Sequence, residues 1–257
     1  MGLGRKTPDS MTFLEHLGDL RKRLFYSFIA VIVAFIPAWF FHEEIFNILA
    51  RPILKYLPEG EKLTIIELPA AFMVYIKVSF IAALFVIAPF IFYQFWKFIA
   101  PGLYQKEKKY VVPFVFFTTF FFALGALFAY FVVFPFACNF FISMAADFKT
   151  MITADKYFSF ALRVILGIAI VFELPTLIFF LSRMGLVTSR WMIKNFKYAV
   201  LAVFVIAAII TPTPDMFVQS IIAVPMLALY GLSIIIAFFS EKRRKKVKNN
   251  HDEELAG

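Results

Sequence analysis

Two carboxylates stand where basic residues dominate. Glu107 is the one acid of the polar loop QFWKFIAPGLYQKEKK (Gln94 to Lys109), among Lys106, Lys108 and Lys109, and Asp19 lies in FLEHLGDLRKR (Phe13 to Arg23) beside Arg21, Lys22 and Arg23. Two such acids suit a ligand with two guanidinium groups, because arginine offers a planar fork that bonds a carboxylate through two N–H donors, and lysine does not. Each charge-assisted bond is worth about 1.5 to 3 kcal/mol, so two give modest affinity once ordering costs are deducted. The competing reading is local: each acid pairs with a basic neighbour, as Asp19 would with Arg23 one helical turn later.

A third acid, Glu173, falls in the middle of an apolar run, two residues before Pro175. The proline leaves a backbone carbonyl near Val171 without its usual donor. An ionisable group at such depth points to function, either protonated or bonded to a polar group of a neighbouring helix or partner protein; the alternative is an internal bond that only fixes packing. Lys77 and Arg163 lie within about two turns of the ends of their runs and read as snorkelling cations. Asp215, in the turn TPTPD, reads as a turn residue or helix N-cap, and the aromatic residues Phe92 to Tyr104 as interfacial anchors, with Phe98 able to touch a peptide. The chain shows no nucleophile with a base and orienter, no metal-ligand spacing and no glycine-rich phosphate loop, so the expectation is no enzyme, no metal and no cofactor.

The elements that must position these residues are membrane spans. Of 257 residues 62% are hydrophobic and 37 are phenylalanine, and the mean hydropathy is +0.83; an ordinary soluble core is excluded. The single cysteine, Cys138, reads as apolar filler. A net charge of +9 would suit nucleic acid in a soluble chain, but in a membrane chain it marks the cytoplasmic side, and no nucleic-acid partner is expected.

The predicted organisation is a polar start over 1–10, one membrane domain over 11–239 and a basic tail over 240–257. Thr12 and Glu15 are spaced as a capping box for an amphipathic helix with Phe13, Leu17, Leu20 and Leu24 on one stripe and Glu15, Asp19, Lys22 and Arg23 opposite it. Such a helix would lie on the membrane surface and run directly into the first span, so no cleavable signal peptide is expected. Spans are predicted at about 24–41, 70–99, 110–137, 159–182, 198–210 and 216–239, the fifth being only about 20 Å long. Prolines at 52, 58 and 69 keep 42–68 from forming one helix. With both termini inside, cytoplasmic segments carry 19 Lys and Arg against 5 outside, an imbalance that predicts six spans with cytoplasmic ends and puts Glu107 on that face.

Five separated stretches resemble the TatC family, the signal-peptide receptor subunit of the twin-arginine protein translocase: FLEHLGDLRKR, YQFWKFIAPGLYQKEKK (Tyr93 to Lys109), GALFAYFVVFP (Gly125 to Pro135), FELP (Phe172 to Pro175) and TPTPDMFVQS (Thr211 to Ser220). The resemblance runs from about Met11 to Phe239. It implies an all-α membrane protein with six helices in a cupped arrangement, hollow face to the bilayer, and short fifth and sixth helices. It implies that Glu107 and the acid at Asp19 receive the paired arginines of a signal peptide, with Arg21 and Phe98 in the same cytoplasmic site. Glu173 is then the intramembrane residue facing partner helices, Asp215 the acid of the outer turn, and Pro52 a proline of the first external loop. The family has Glu where Asp19 stands, one methylene longer, so Glu15 one turn earlier is a second candidate for that acid. Implied too are single-span TatA-like and TatB-like partners, a homo-oligomer within the complex, a multi-pass place in the cell inner membrane, and transport driven by the proton gradient. The alternative from another class is a small proton-coupled secondary transporter using Glu173 with Lys77 or Arg163 as counter-charge.

Overall fold

The computed structural model describes residues 13–57, 62–99, 111–145, 151–211 and 215–256, with side chains described except at 13–16, 111 and 242–256. In a bilayer no water satisfies the backbone, so long apolar runs close their hydrogen bonds internally as helices. The described residues follow that rule. In order they form α1 (Phe13–Phe40), α2 (His42–Leu54), α3 (Ala70–Ile99), α4 (Val111–Phe128), a π-helical turn (Ala129–Val133), α5 (Phe134–Met144), α6 (Ala154–Val171), α7 (Leu174–Met184), α8 (Ser189–Lys194), α9 (Phe196–Ile210) and α10 (Met216–Ala256). Five stretches are long and apolar enough to span: Leu17–Phe40, Ala70–Ile99, Val112–Met144, Ala154–Met184 and Met216–Glu241; Phe196–Ile210 is a shorter apolar helix.

Several boundaries differ from the sequence expectation. The amphipathic stretch and the first span are one continuous helix, α1. The third span continues through the π turn to Met144, making 33 residues, about 50 Å of helix against a hydrocarbon core of about 30 Å. The fourth begins at Ala154, and α10 carries on to Ala256, because nothing in the basic tail breaks a helix. The helix α2 was not expected: Glu43 and Glu44 lie in its first turn and Arg51 in its last, as the helix dipole favours, and Pro52 ends it within three residues.

The chain forms two compact units, one of residues 1–46 with 75–120, the other of 47–74 with 121–257. In the first, Trp96 on α3 stacks on Phe114 of α4, with ring centroids 4.9 Å apart, and its Nε1 donates to Thr118 Oγ1 at 3.1 Å. Thr118 in turn donates to the carbonyl of Phe114. These contacts tie the end of α3 to the start of α4.

In the second unit α10 packs mainly on α7 and α9. Ser182 Oγ donates to the Ala237 carbonyl at 3.2 Å, Gln219 Nε2 to the Phe204 carbonyl at 2.7 Å, and the Ser189 N–H to the Glu241 carboxylate. Gly185, with φ of 80°, closes α7 in the left-handed conformation that favours glycine. The segment 62–69 returns by one β-bridge, in which the Thr64 N–H donates to the Ile152 carbonyl at 2.8 Å and the Ala154 N–H to the Thr64 carbonyl at 2.9 Å. Pro52 has no N–H for the Ile48 carbonyl four residues before it; the Tyr130 hydroxyl, carried on the π turn, donates to that carbonyl at 2.6 Å. The Tyr157 hydroxyl donates to the Leu49 carbonyl at 2.7 Å. Cys138 is buried, as expected of apolar filler.

Candidate functional site

Three acids singled out by the sequence sit in three different settings. Asp19 is on α1, three-quarters covered, and its Oδ2 accepts from Arg23 Nε at 2.7 Å. The local pair foreseen as the competing reading is therefore formed. Arg23 also reaches α3, its Nη1 lying 3.5 Å from Gln94 Oε1. Near the far end of α1, the His42 ring meets Tyr75 of α3 edge-on at 4.6 Å. From Arg23 to His42 and from Tyr75 to Gln94 is the same number of residues, so α1 and α3 run antiparallel at matching rise. Continuing that register one turn further puts Phe98 level with Asp19.

The register separates the expected site residues. Asp19, Arg23, Gln94 and half-buried Phe98 share one end of the α1 and α3 pair. Arg21 is exposed and, two residues on, lies about 200° round the helix from Asp19; the structure does not bring it to that face. Glu15 is four residues before Asp19, on the same face of α1, with its side chain outside the described residues. Glu107 lies outside them altogether. Gln94 was missed: it stands inside the quoted loop motif, but an amide among aromatics gives no sign of which helix it will meet.

The stripe of Leu17, Leu20 and Leu24 is outward, with exposures of 44%, 40% and 69%, while the Arg23 and Asp19 side chains are 15% and 24% exposed. A soluble amphipathic helix does the opposite. In this chain apolar positions face outward and the charged pair is kept against protein.

Glu173 lies at the junction of α6 and α7. Pro175 is the second residue of α7, so the ladder breaks there: the Glu173 N–H bonds the Ile170 carbonyl at 3.1 Å, and the helix resumes with the Leu177 N–H on the Glu173 carbonyl at 2.9 Å. The backbone of Phe122 comes near the carboxyl, but both carboxyl oxygens are buried without a hydrogen bond, and so is Thr176 Oγ1, three residues later. The packing beside this break is tight. A Cβ on Gly125 of α4 would sit 2.7 Å from Phe172 Cβ and 2.9 Å from Ala169 Cα.

Asp215 is the N-cap of α10, its carboxylate accepting from the N–H of Phe217 at 3.2 Å and of Val218 at 3.4 Å. Among the described residues no cluster of three or more His, Cys, Asp or Glu could hold a metal ion.

Residues 15–225 match the family described as Sec-independent protein translocase protein (TatC). The chain belongs to the TatC family. It is 42% identical over 258 residues to the Sec-independent protein translocase protein TatC of Koribacter versatilis, covering 99% of this chain and 95% of that one. It is 43% identical over 242 residues to the TatC of Helicobacter pylori strain J99, covering 93% and 94%. Among solved structures, a twin arginine translocase receptor, TatC, superposes with a TM-score of 0.79 at 37% identity, covering 88% of this chain and 99% of that chain. This TatC-family chain is thus a multi-pass helical membrane protein of a translocase family, not of an enzyme family. The relatives lend no support to the secondary-transporter reading of Glu173.

Proposed function

We propose that this chain is the membrane receptor for twin-arginine signal peptides of folded precursor proteins, binding them at the cytoplasmic face and nucleating the translocation assembly. The observation that carries the reading is the α1 and α3 register, in which Asp19 and Phe98 share the end of the pair that leads into the loop of Glu107. Two carboxylates and an aromatic wall suit an Arg-Arg motif with an apolar residue beside it. The relative of known structure named a twin arginine translocase receptor supports the same reading.

In this reading Glu107 and Asp19 each take one guanidinium, and Arg21 contributes from the cytoplasmic rim. The Asp19 to Arg23 bond engages one carboxylate oxygen, so a peptide arginine binds the other oxygen or displaces Arg23. That bond also favours a second reading, in which Asp19 holds Arg23 against Gln94 and Glu15, one turn earlier, is the acid that acts with Glu107.

Six spans place both termini and the basic tail in the cytoplasm, with Asp215 in an outer turn, as the Lys and Arg imbalance supports. The membrane is the cell inner membrane, and the driving force is its proton gradient. Single-span TatA-like and TatB-like subunits and further copies of the chain complete the assembly. Glu173 faces a polar group of one of those helices, a role that its unpartnered carboxyl supports.

The deciding experiment is photo-crosslinking from positions 19, 15 and 107 to a signal peptide bearing Arg-Arg, with Lys-Lys as control. Crosslinks from 107 and 19 that vanish with Lys-Lys support the receptor with Asp19 as second acid. Crosslinks from 107 and 15 alone support the second reading. Equal crosslinking with both peptides, or none with either, sinks the receptor reading.

A further inference from the structure

A cavity of about 620 Å³ opens beside α5 and α6 in the second unit. One wall is apolar, with Phe141 and Ile142 from α5 and Phe160 from α6. The other is a polar stripe on α6, where Asp155, Ser159 and Arg163 recur at four-residue intervals and so share a face, with Lys156 at the same end.

Arg163 is the feature that asks for a ligand. It lies nine residues inside the span that starts at Ala154, about 13 Å along the helix, and it is exposed. Neither Arg163 nor Lys156 forms an ion pair among the described residues. Guanidinium keeps its charge in any protein setting, and a charge at that depth is costly without an anion or water. Asp155, the one acid among the described residues lining the cavity, is two helical turns away along the axis, about 12 Å. The described lining therefore carries a net positive charge beside an apolar wall.

We propose that this groove holds one anionic phospholipid, its phosphate on Arg163 and Lys156 and an acyl chain against Phe141, Ile142 and Phe160. Arg163 can carry its guanidinium outward to the interface by snorkelling, where the anion at hand is a lipid phosphate, and basic pockets beside spanning helices take such headgroups. The site is independent of signal-peptide recognition, and in the topology proposed above it lies in the outer leaflet.

The test uses full-length protein in phosphatidylcholine nanodiscs carrying a minority of phosphatidylglycerol, with lipid retention after detergent extraction read by native mass spectrometry. The expected result is one retained phosphatidylglycerol, preferred over phosphatidylcholine by about tenfold or more. Arg163→Gln with Lys156→Gln should abolish the preference. Ile142→Trp keeps both charges but fills the groove, and should lose the lipid, so it decides the matter if the charge variant does not fold. Equal retention of both lipids, or unchanged retention in either folded variant, overturns the proposal. Displacement by millimolar inorganic phosphate alone would overturn it in favour of a free-anion site, and recovery of a single-span protein in place of lipid would overturn it in favour of a helix-docking groove.

Discussion

Asp19 and Glu173 are carboxylates on helices of the same membrane chain, and their surroundings differ in what satisfies them. Asp19 lies near the start of α1, where its own Arg23 sits one turn away and bonds it at 2.7 Å. Glu173 is in the interior of a span, at a helix break, with both oxygens buried and unbonded. A side chain near water can take the partner its helix offers, at a net gain of less than about 1 kcal/mol. One inside a span must be held by protein or be left unsatisfied, at a cost of about 1 to 3 kcal/mol or more. In the proposed receptor the first acid exchanges one arginine for another. The second is left unsatisfied, which supports the proposed contact with a partner helix.

Replacing Glu173 is the sharpest way to break this contrast. Glu173→Leu should abolish export of a twin-arginine precursor, measured in vesicles, while raising the thermal stability of the purified chain by the equivalent of about 1 to 3 kcal/mol. If the variant instead melts lower, the carboxyl has a stabilising partner and the contrast fails. Gly125→Val should cost stability near the upper end of about 1 to 3 kcal/mol, because its Cβ would collide with Phe172 and the Ala169 backbone. Thermal unfolding in detergent reads that loss, and an unchanged melting point would mean the helix break beside Glu173 is looser than the structure has it.

At the other acid the effects are smaller. Asp19→Asn should weaken binding of an Arg-Arg peptide by roughly tenfold while changing stability by less than about 1 kcal/mol; isothermal titration and melting together separate these. A large loss of stability with peptide binding intact would favour the reading in which Asp19 only positions Arg23. Tyr130→Phe should cost about 1 kcal/mol, since the Ile48 carbonyl freed by Pro52 then loses its donor. Arg21→Gln should shift stability by no more than about 0.5 kcal/mol while weakening peptide binding, and unchanged binding would take Arg21 out of the proposed site.

Much of this chain can be read without coordinates. Hydropathy alone locates the long apolar runs, because in a bilayer a helix is the one way a single run can satisfy its own backbone. Pro175 announces the break beside Glu173, because a ring without an N–H cannot continue the ladder. The shortness of the fifth run and the capping acid at Asp215 are equally local facts. The family, too, is written in short motifs that keep their order along the chain.

Pairings between distant residues were not legible, since they depend on which helices meet and at what register. Asp19 has several cations within reach in the sequence, Arg21, Lys22 and Arg23. Only the bond from Arg23 to Gln94, with the ring contact of His42 and Tyr75, shows which face of α1 turns to α3 and that Phe98 stands level with Asp19. Pro52 signals an orphaned carbonyl but not that Tyr130, more than seventy residues later, will bond it. The leucine stripe of α1 is visible in sequence, yet its outward direction is not, because the same pattern serves a helix in water and a helix in lipid with opposite faces turned to the protein. Composition and local backbone chemistry therefore determined that the chain is a helical membrane protein and that its fourth span breaks at Pro175. The tertiary structure decided which carboxylate is satisfied and which is left open, because that depends on the neighbours each side chain meets, and neighbours come from packing.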